Sequence, residues 1–306
     1  MGVPRIMHGH LAVYGACLTM PVLSLAACGS SSDEGKGTVQ IFVVPEASIA
    51  EGLDPGTGPE NVHDGWTIRY TRYLAVVGNF RAARSDTGDR LLDPTTYVLD
   101  LRNAPTSGYV AHEWKDVAAV RWDKFGYDVA NAKSGAVPLP PTTQADADFM
   151  IAKGYSVYFE GYGEKESDKI SFAWGFAAGT SFDDCASEDG IAGFAVPAGG
   201  SVQIKPTLHG DHQYFDNVTQ GVEKTQRLAQ WLLVCDADGD RALTLDELSA
   251  CDAAKALPSP DPYDLTAVKD VDGDRKISVY DYVHTQLRTF GDYQGDGECP
   301  SRLPLP

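Results

Sequence analysis

Basic residues are scarce in this chain: 25 lysines and arginines stand against 43 aspartates and glutamates in 306 residues, for a formal net charge of -18. That balance repels phosphate-rich partners, argues against nucleic-acid binding through a basic face, and makes cations the natural ligands. Methionine is nearly missing too. Only Met150 lies past residue 20, which leaves nothing for the Met-rich groove that a calcium sensor opens. No GxSxG, HExxH or phosphate-binding loop occurs, so the sequence gives no positive sign of an enzyme. Long apolar runs are absent as well: the longest mostly apolar stretch, Leu11 to Leu25, falls short of a comfortable membrane span.

That stretch, preceded by Arg5, reads instead as a targeting segment over residues 1–27. It ends in Leu25-Ala26-Ala27-Cys28, which looks like a bacterial lipobox, with Cys28 as the lipidated first residue and residues 28–37 as a Ser- and Gly-rich tether. The expectation is a protein anchored to a membrane through lipid, in the cell envelope. By the sorting pattern of such lipoproteins, Gly29 after the cysteine favours the outer membrane. An oxidising compartment then gives the remaining cysteines, Cys185, Cys235, Cys251 and Cys299, two disulfides. Three pairings are possible. Spacing favours Cys235 with Cys251, which bracket an acidic loop, leaving Cys185 with Cys299.

With 43% hydrophobic residues the 306-residue chain can bury a sizeable core, and its length allows about two domains. From Thr38 to about Pro206, short segments alternate apolar and polar between Gly, Pro, Asp and Asn clusters, the pattern of antiparallel β structure. Trp66, Ile68, Tyr70, Leu74 and Val76 are expected on one face of a strand broken by Arg72. Tyr155 to Phe159 and Ile170 to Phe176 read as two strands closed into a hairpin by the polar stretch Gly161 to Asp168. Further strands are expected at 38–44, 97–101, 117–122 and 201–208, and a helix at 143–153. After Gln220 the spacing of Leu228, Trp231, Leu232 and Cys235 becomes helical. The fold class is therefore α+β: an antiparallel β-sandwich-like domain over 38–215, then a small helical EF-hand pair over 216–306.

Asp236-Ala-Asp-Gly-Asp-Arg-Ala-Leu-Thr-Leu-Asp-Glu247 matches the twelve-residue EF-hand calcium loop, which needs oxygen at positions 1, 3, 5, 7, 9 and 12. Asp236, Asp238, Asp240, the Ala242 carbonyl, Thr244 and Glu247 supply it. The second loop offers Asp270, Asp272, Asp274, the Lys276 carbonyl, Ser278 and Asp281, and its spacing from the first suits an EF-hand pair in which Leu243 faces Ile277. The chain thus has places for one or two calcium ions. Two departures weaken them. Arg241 and Arg275 occupy position 6, where glycine normally takes a left-handed turn, at a cost of about 1 kcal/mol each. Asp281 is shorter than the usual closing glutamate, a feature that resembles dockerin loops, so the first loop is expected to bind more tightly.

His209-Gly-Asp-His212 follows an expected strand. In a regular strand the two imidazoles would diverge, but a turn at Gly210 would aim both at one Zn2+ or Cu2+ ion. His63 or His112 could be the third ligand, with Asp211 or Glu113 as the carboxylate. The competing reading is that the histidines hydrogen-bond backbone at a strand end.

The lipobox, the strand Asp64-Gly-Trp-Thr-Ile-Arg-Tyr70, the segment Phe172-Ala-Trp-Gly-Phe176, the His209-Gly-Asp-His212 motif and the acidic loops together resemble a group of uncharacterised bacterial EF-hand lipoproteins. The likeness covers most of the mature chain. It implies no known activity, only that the histidine motif and the loops recur together. The expected role is that of a calcium-binding envelope lipoprotein with a binding or structural task. A dockerin-like module that docks an envelope protein partner is the alternative, and an enzyme acting on envelope polymers ranks third.

Overall fold

Strand Lys36–Pro45 organises a five-stranded sheet. It pairs antiparallel with Tyr109–Ala118 and parallel with both Ser201–Ile204 and Pro206–Leu208, and the last of these pairs antiparallel with Gly291–Tyr293. The second sheet has nine strands around the 17-residue strand Thr67–Ala83, which meets Val157–Lys165, Lys124–Val129 and Arg90–Asp100. Both sheets contribute side chains to one core: Val39, Ile41 and Val43 from the first join Tyr73, Phe159 and Trp174 from the second. The protein is thus mostly β, as a sandwich-like domain requires. This computed structural model describes residues 35–218, 225–257, 263 and 265–302. Cys28, the targeting segment and tether residues 29–34 lie outside them. No helix among the described residues is long and apolar enough to cross a membrane.

The strand through Trp66 departs from the expected single face, and a bulge is the reason. Tyr70 pairs with Gly161 while Arg72 pairs with Glu160, so Thr71 is an extra residue and the alternation slips by one. Ile68 and Tyr70 therefore share the main core with Tyr73, Ala75 and Val77. Leu74 and Val76 turn to the opposite face, where they pack with Val98, Ala147 and Met150. Helix Gln144–Lys153 covers that second cluster. It starts with a reciprocal capping box between Thr143 and Asp146 and stops at Gly154, whose φ of 66° suits glycine.

The polar stretch 161–168 is also mostly strand rather than loop: pairing continues through Lys165 and Asp168, and the turn is confined to Glu166 and Ser167. Gly161 and Gly163 are packing positions. A Cβ on Gly161 would lie 2.9 Å from the Phe172 ring, and one on Gly163 would lie 2.6 Å from Leu232.

Past residue 215 the chain returns to the sheets. Ala242–Leu243 adds in parallel to Ser171–Phe172, and Ser301–Arg302 adds to Ser181–Phe182. The helices there are short: Trp231–Cys235, Leu245–Ala250, Ala253–Ala256 and Val279–Gln286. Both disulfides form as the spacing favoured, Cys185 with Cys299 and Cys235 with Cys251. The first ties a β-rich segment to the C-terminal strand; the second brackets the first acidic loop.

Candidate functional site

The two acidic loops are built alike. In each, the first aspartate accepts from the amide of the sixth residue: Asp236 from Arg241 at 3.3 Å, Asp270 from Arg275 at 2.8 Å. The third accepts from the fifth and the fifth from the seventh. The closing acids reach back to the second residue, with Glu247 on the Ala237 amide at 3.0 Å and Asp281 on the Val271 amide at 2.8 Å. They also complete capping boxes with Thr244 and Ser278 that start the following helices. Arg241 and Arg275 both take φ 69°, the left-handed turn that glycine would adopt without strain.

The loops differ in their surroundings. Leu243 is buried beside Phe172, and its carbonyl accepts the Trp174 indole hydrogen at 2.8 Å. Ser278 of the second loop instead bridges to Asp252, and Val279 N donates to Cys251 O. Leu243 thus pairs with the main sheet, beside Phe172, rather than with Ile277. Ligand oxygens of Asp236, Asp238 and Glu247 lie within 4.8 Å of one another, as do those of Asp270, Asp272 and Asp274. The closing acid belongs to the first group but not to the second.

The histidine motif sits where three strands of the smaller sheet end together. Pro45 is in register with Leu208, and Leu208 with Gly291. Continuing the first two strands by one residue gives Glu46 and His209, and Asp292, inside the third strand opposite Thr207, completes the group. Glu46 N donates to Leu208 O at 2.9 Å and His209 N to Phe290 O at 3.0 Å. Gly210 then lies so close to Ser48 and Ile49 that a Cβ would stand 2.7 Å from Ile49 Cγ1. The chain turns there into the 3-10 helix His212–Tyr214, bringing the two imidazole centroids to 5.0 Å.

These groups line a cavity of about 860 Å³ with Glu51, Asp54, Asp296 and Glu298. His209 Nδ1 is 2.8 Å from Glu46 Oε2, and its Nε2 is 3.0 Å from Asp292 Oδ2. Burial opposes its charge, yet the Asp292, Glu46 and Asp211 carboxylates outweigh burial and hold its pKa well above the ordinary value. His212 is pushed the other way, to about 4, by burial and by the neighbouring His209 charge. Burial also raises Glu46. Asp211 is fully buried, but the Arg227 guanidinium overcomes desolvation and keeps its pKa low.

His63 and His112 are not brought here. His63 Nε2 meets the Gly58 carbonyl at 2.9 Å, and His112 Nδ1 faces Asp93 Oδ2 at 3.1 Å. Glu113 takes Gln40 and Lys115. Sequence reasoning missed Glu46, Asp292, Asp296 and Arg227. Nothing local marks them, because strand register alone gathers three of the segments concerned. Family models, curated proteins and solved structures compared with the chain yielded no match.

Proposed function

We propose that this protein is a lipid-anchored, calcium-stapled binding protein of the cell envelope. The observation that carries the calcium reading is the repeated loop skeleton: two twelve-residue segments adopt one hydrogen-bond pattern, and each forces an arginine to φ 69° at position 6. Independent acidic turns have no reason to accept the same strain at the same position, whereas calcium coordination requires that turn. In this reading the loops and the helices after them form an EF-hand-like pair, with the first loop the tighter because Glu247 stands with Asp236 and Asp238.

The role is that of a staple rather than a signal. Cys235 and Cys251 lock both ends of the first loop, and Ala242–Leu243 is sewn into the main sheet, so ion binding would fasten an existing edge. Cys28 supplies the anchor, by the lipobox alone, and the acidic cavity supplies the binding surface.

Calorimetric titration of the chelator-treated full chain should show calcium binding, with at least a tenfold loss at the tighter site in Glu247→Gln. No binding heat together with an unchanged melting temperature would overturn the staple. Intact-mass analysis of the membrane fraction should find acyl chains on Cys28, and a wild-type protein without them would remove the anchor.

A further inference from the structure

We propose that His209, Asp211 and His212 form a mononuclear divalent transition-metal site at the floor of the acidic cavity, binding a metal of the Zn2+ class. This site is separate from the calcium loops and stands or falls without them. Ligand atoms from the three residues all lie within 4.8 Å of one another, and the three side chains are almost wholly buried. Asp211 Oδ1 has no hydrogen-bond partner among the described residues, although Asp211 is fully enclosed. A buried carboxylate oxygen without a partner is costly. It faces His209 Nδ1 at 4.0 Å, and a metal between them would satisfy both.

The outer atoms of His212 and Asp211 are held by hydrogen bonds. His212 Nδ1 meets Thr289 Oγ1 at 2.9 Å, which leaves Nε2 for the metal. His209 Nε2 lies 3.0 Å from Asp292 Oδ2 without a hydrogen bond, and Nδ1 is the ring atom turned toward Asp211 Oδ1. Asp211 Oδ2 accepts from Arg227 Nε at 2.6 Å, which leaves Oδ1. Metal-binding histidines and carboxylates are ordinarily oriented by such outer partners.

Ligand atoms around a tetrahedral zinc with bonds of roughly 2.0–2.1 Å lie about 3.3 Å apart. The 4.0 Å separation of His209 Nδ1 from Asp211 Oδ1 is within about 1 Å of that figure, so small side-chain shifts suffice. Two imidazoles favour Zn2+, Cu2+, Fe2+ or Ni2+ over calcium. The remaining coordination position opens toward Glu46 and the cavity, whose carboxylates would concentrate cations at the site.

The test uses the full chain, stripped of metal, resaturated with calcium and titrated with Co2+ as a spectroscopic probe that Zn2+ displaces. One equivalent should bind with a visible band of nitrogen and oxygen ligation, and added imidazole should shift that band. His212→Ala should lose at least 100-fold in affinity. Thr289→Val, which leaves the buried Asp211–Arg227 pair intact, should lose about 10- to 100-fold while circular dichroism stays native. His112→Ala should bind as wild type does. Absence of a Co2+ band, or equal affinity in wild type, His212→Ala and Thr289→Val, would overturn the site; a band indifferent to imidazole would overturn its open position.

Discussion

The acidic loops and the histidine cavity put similar residue types to opposite uses. Each loop is twelve consecutive residues whose carboxylates hydrogen-bond to their own backbone, the middle aspartates exposed and Asp236 and Asp281 buried, so its shape is written locally. The cavity gathers Glu46, His209 to His212, Arg227 and Thr289 to Asp292 from four separate parts of the chain and encloses them. Locally written charges can be altered singly at small cost. Enclosed ones depend on one another, since each desolvated charge relies on its partner. The regions are also joined: helix Val279–Gln286 leaves the second loop and leads within a few residues to Thr289 and Asp292.

That contrast is broken most directly by Asp211→Ala. Leaving Arg227 buried without its main partner should cost about 3–5 kcal/mol in urea unfolding, whereas Asp238→Ala in calcium-free buffer should change stability by no more than about 0.5 kcal/mol. Equal losses would erase the distinction. Removing the staple with the double change Cys235→Ser and Cys251→Ser should cost about 3 kcal/mol for a loop of this size. Calcium titration should then weaken at the first loop before the second.

The cavity should respond to mild pH. His212 has a folded value of about 4 against an ordinary 6.5. Its contribution is therefore complete above 6.5 and lost as pH falls from 6.5 toward 4, because the unfolded chain takes up the proton first. His209 is raised, so its contribution is complete below 6.5 and lost as pH rises through its folded value. Stability measured from pH 4 to 9 in wild type should fall away on both sides of about 6.5. His212→Gln should flatten the acid limb, and an acid limb unchanged in that variant would contradict the assignment. The smallest effect sharpens the loop side: Arg275→Gly relieves the left-handed strain and should stabilise by about 1 kcal/mol. Arg241→Gly should gain less, because Arg241 also pairs with Asp168 at 3.1 Å.

Much of the local structure could be read in advance. The helix expected at 143–153 forms over Gln144–Lys153, and Cys235 and Cys251 on either side of an acidic loop announced a disulfide. Reading failed where a long-range partner decided. Gly161 and Gly163 looked like turn residues but serve close packing against Phe172 and Leu232. Leu74 and Val76 were placed on the wrong face because a one-residue bulge is invisible without the neighbouring strand.

The sequence by itself determined the skeleton of both acidic loops, down to the arginines at φ 69°, because carboxylates within the twelve residues accept from their own backbone amides. Only the tertiary structure decided what accompanies His209 and His212. The register of three strands brings Glu46 and Asp292 to them, and the fold sends His63 and His112 elsewhere. Register is set by the burial of whole sheet faces, a property of many residues at once, and no short motif can carry it.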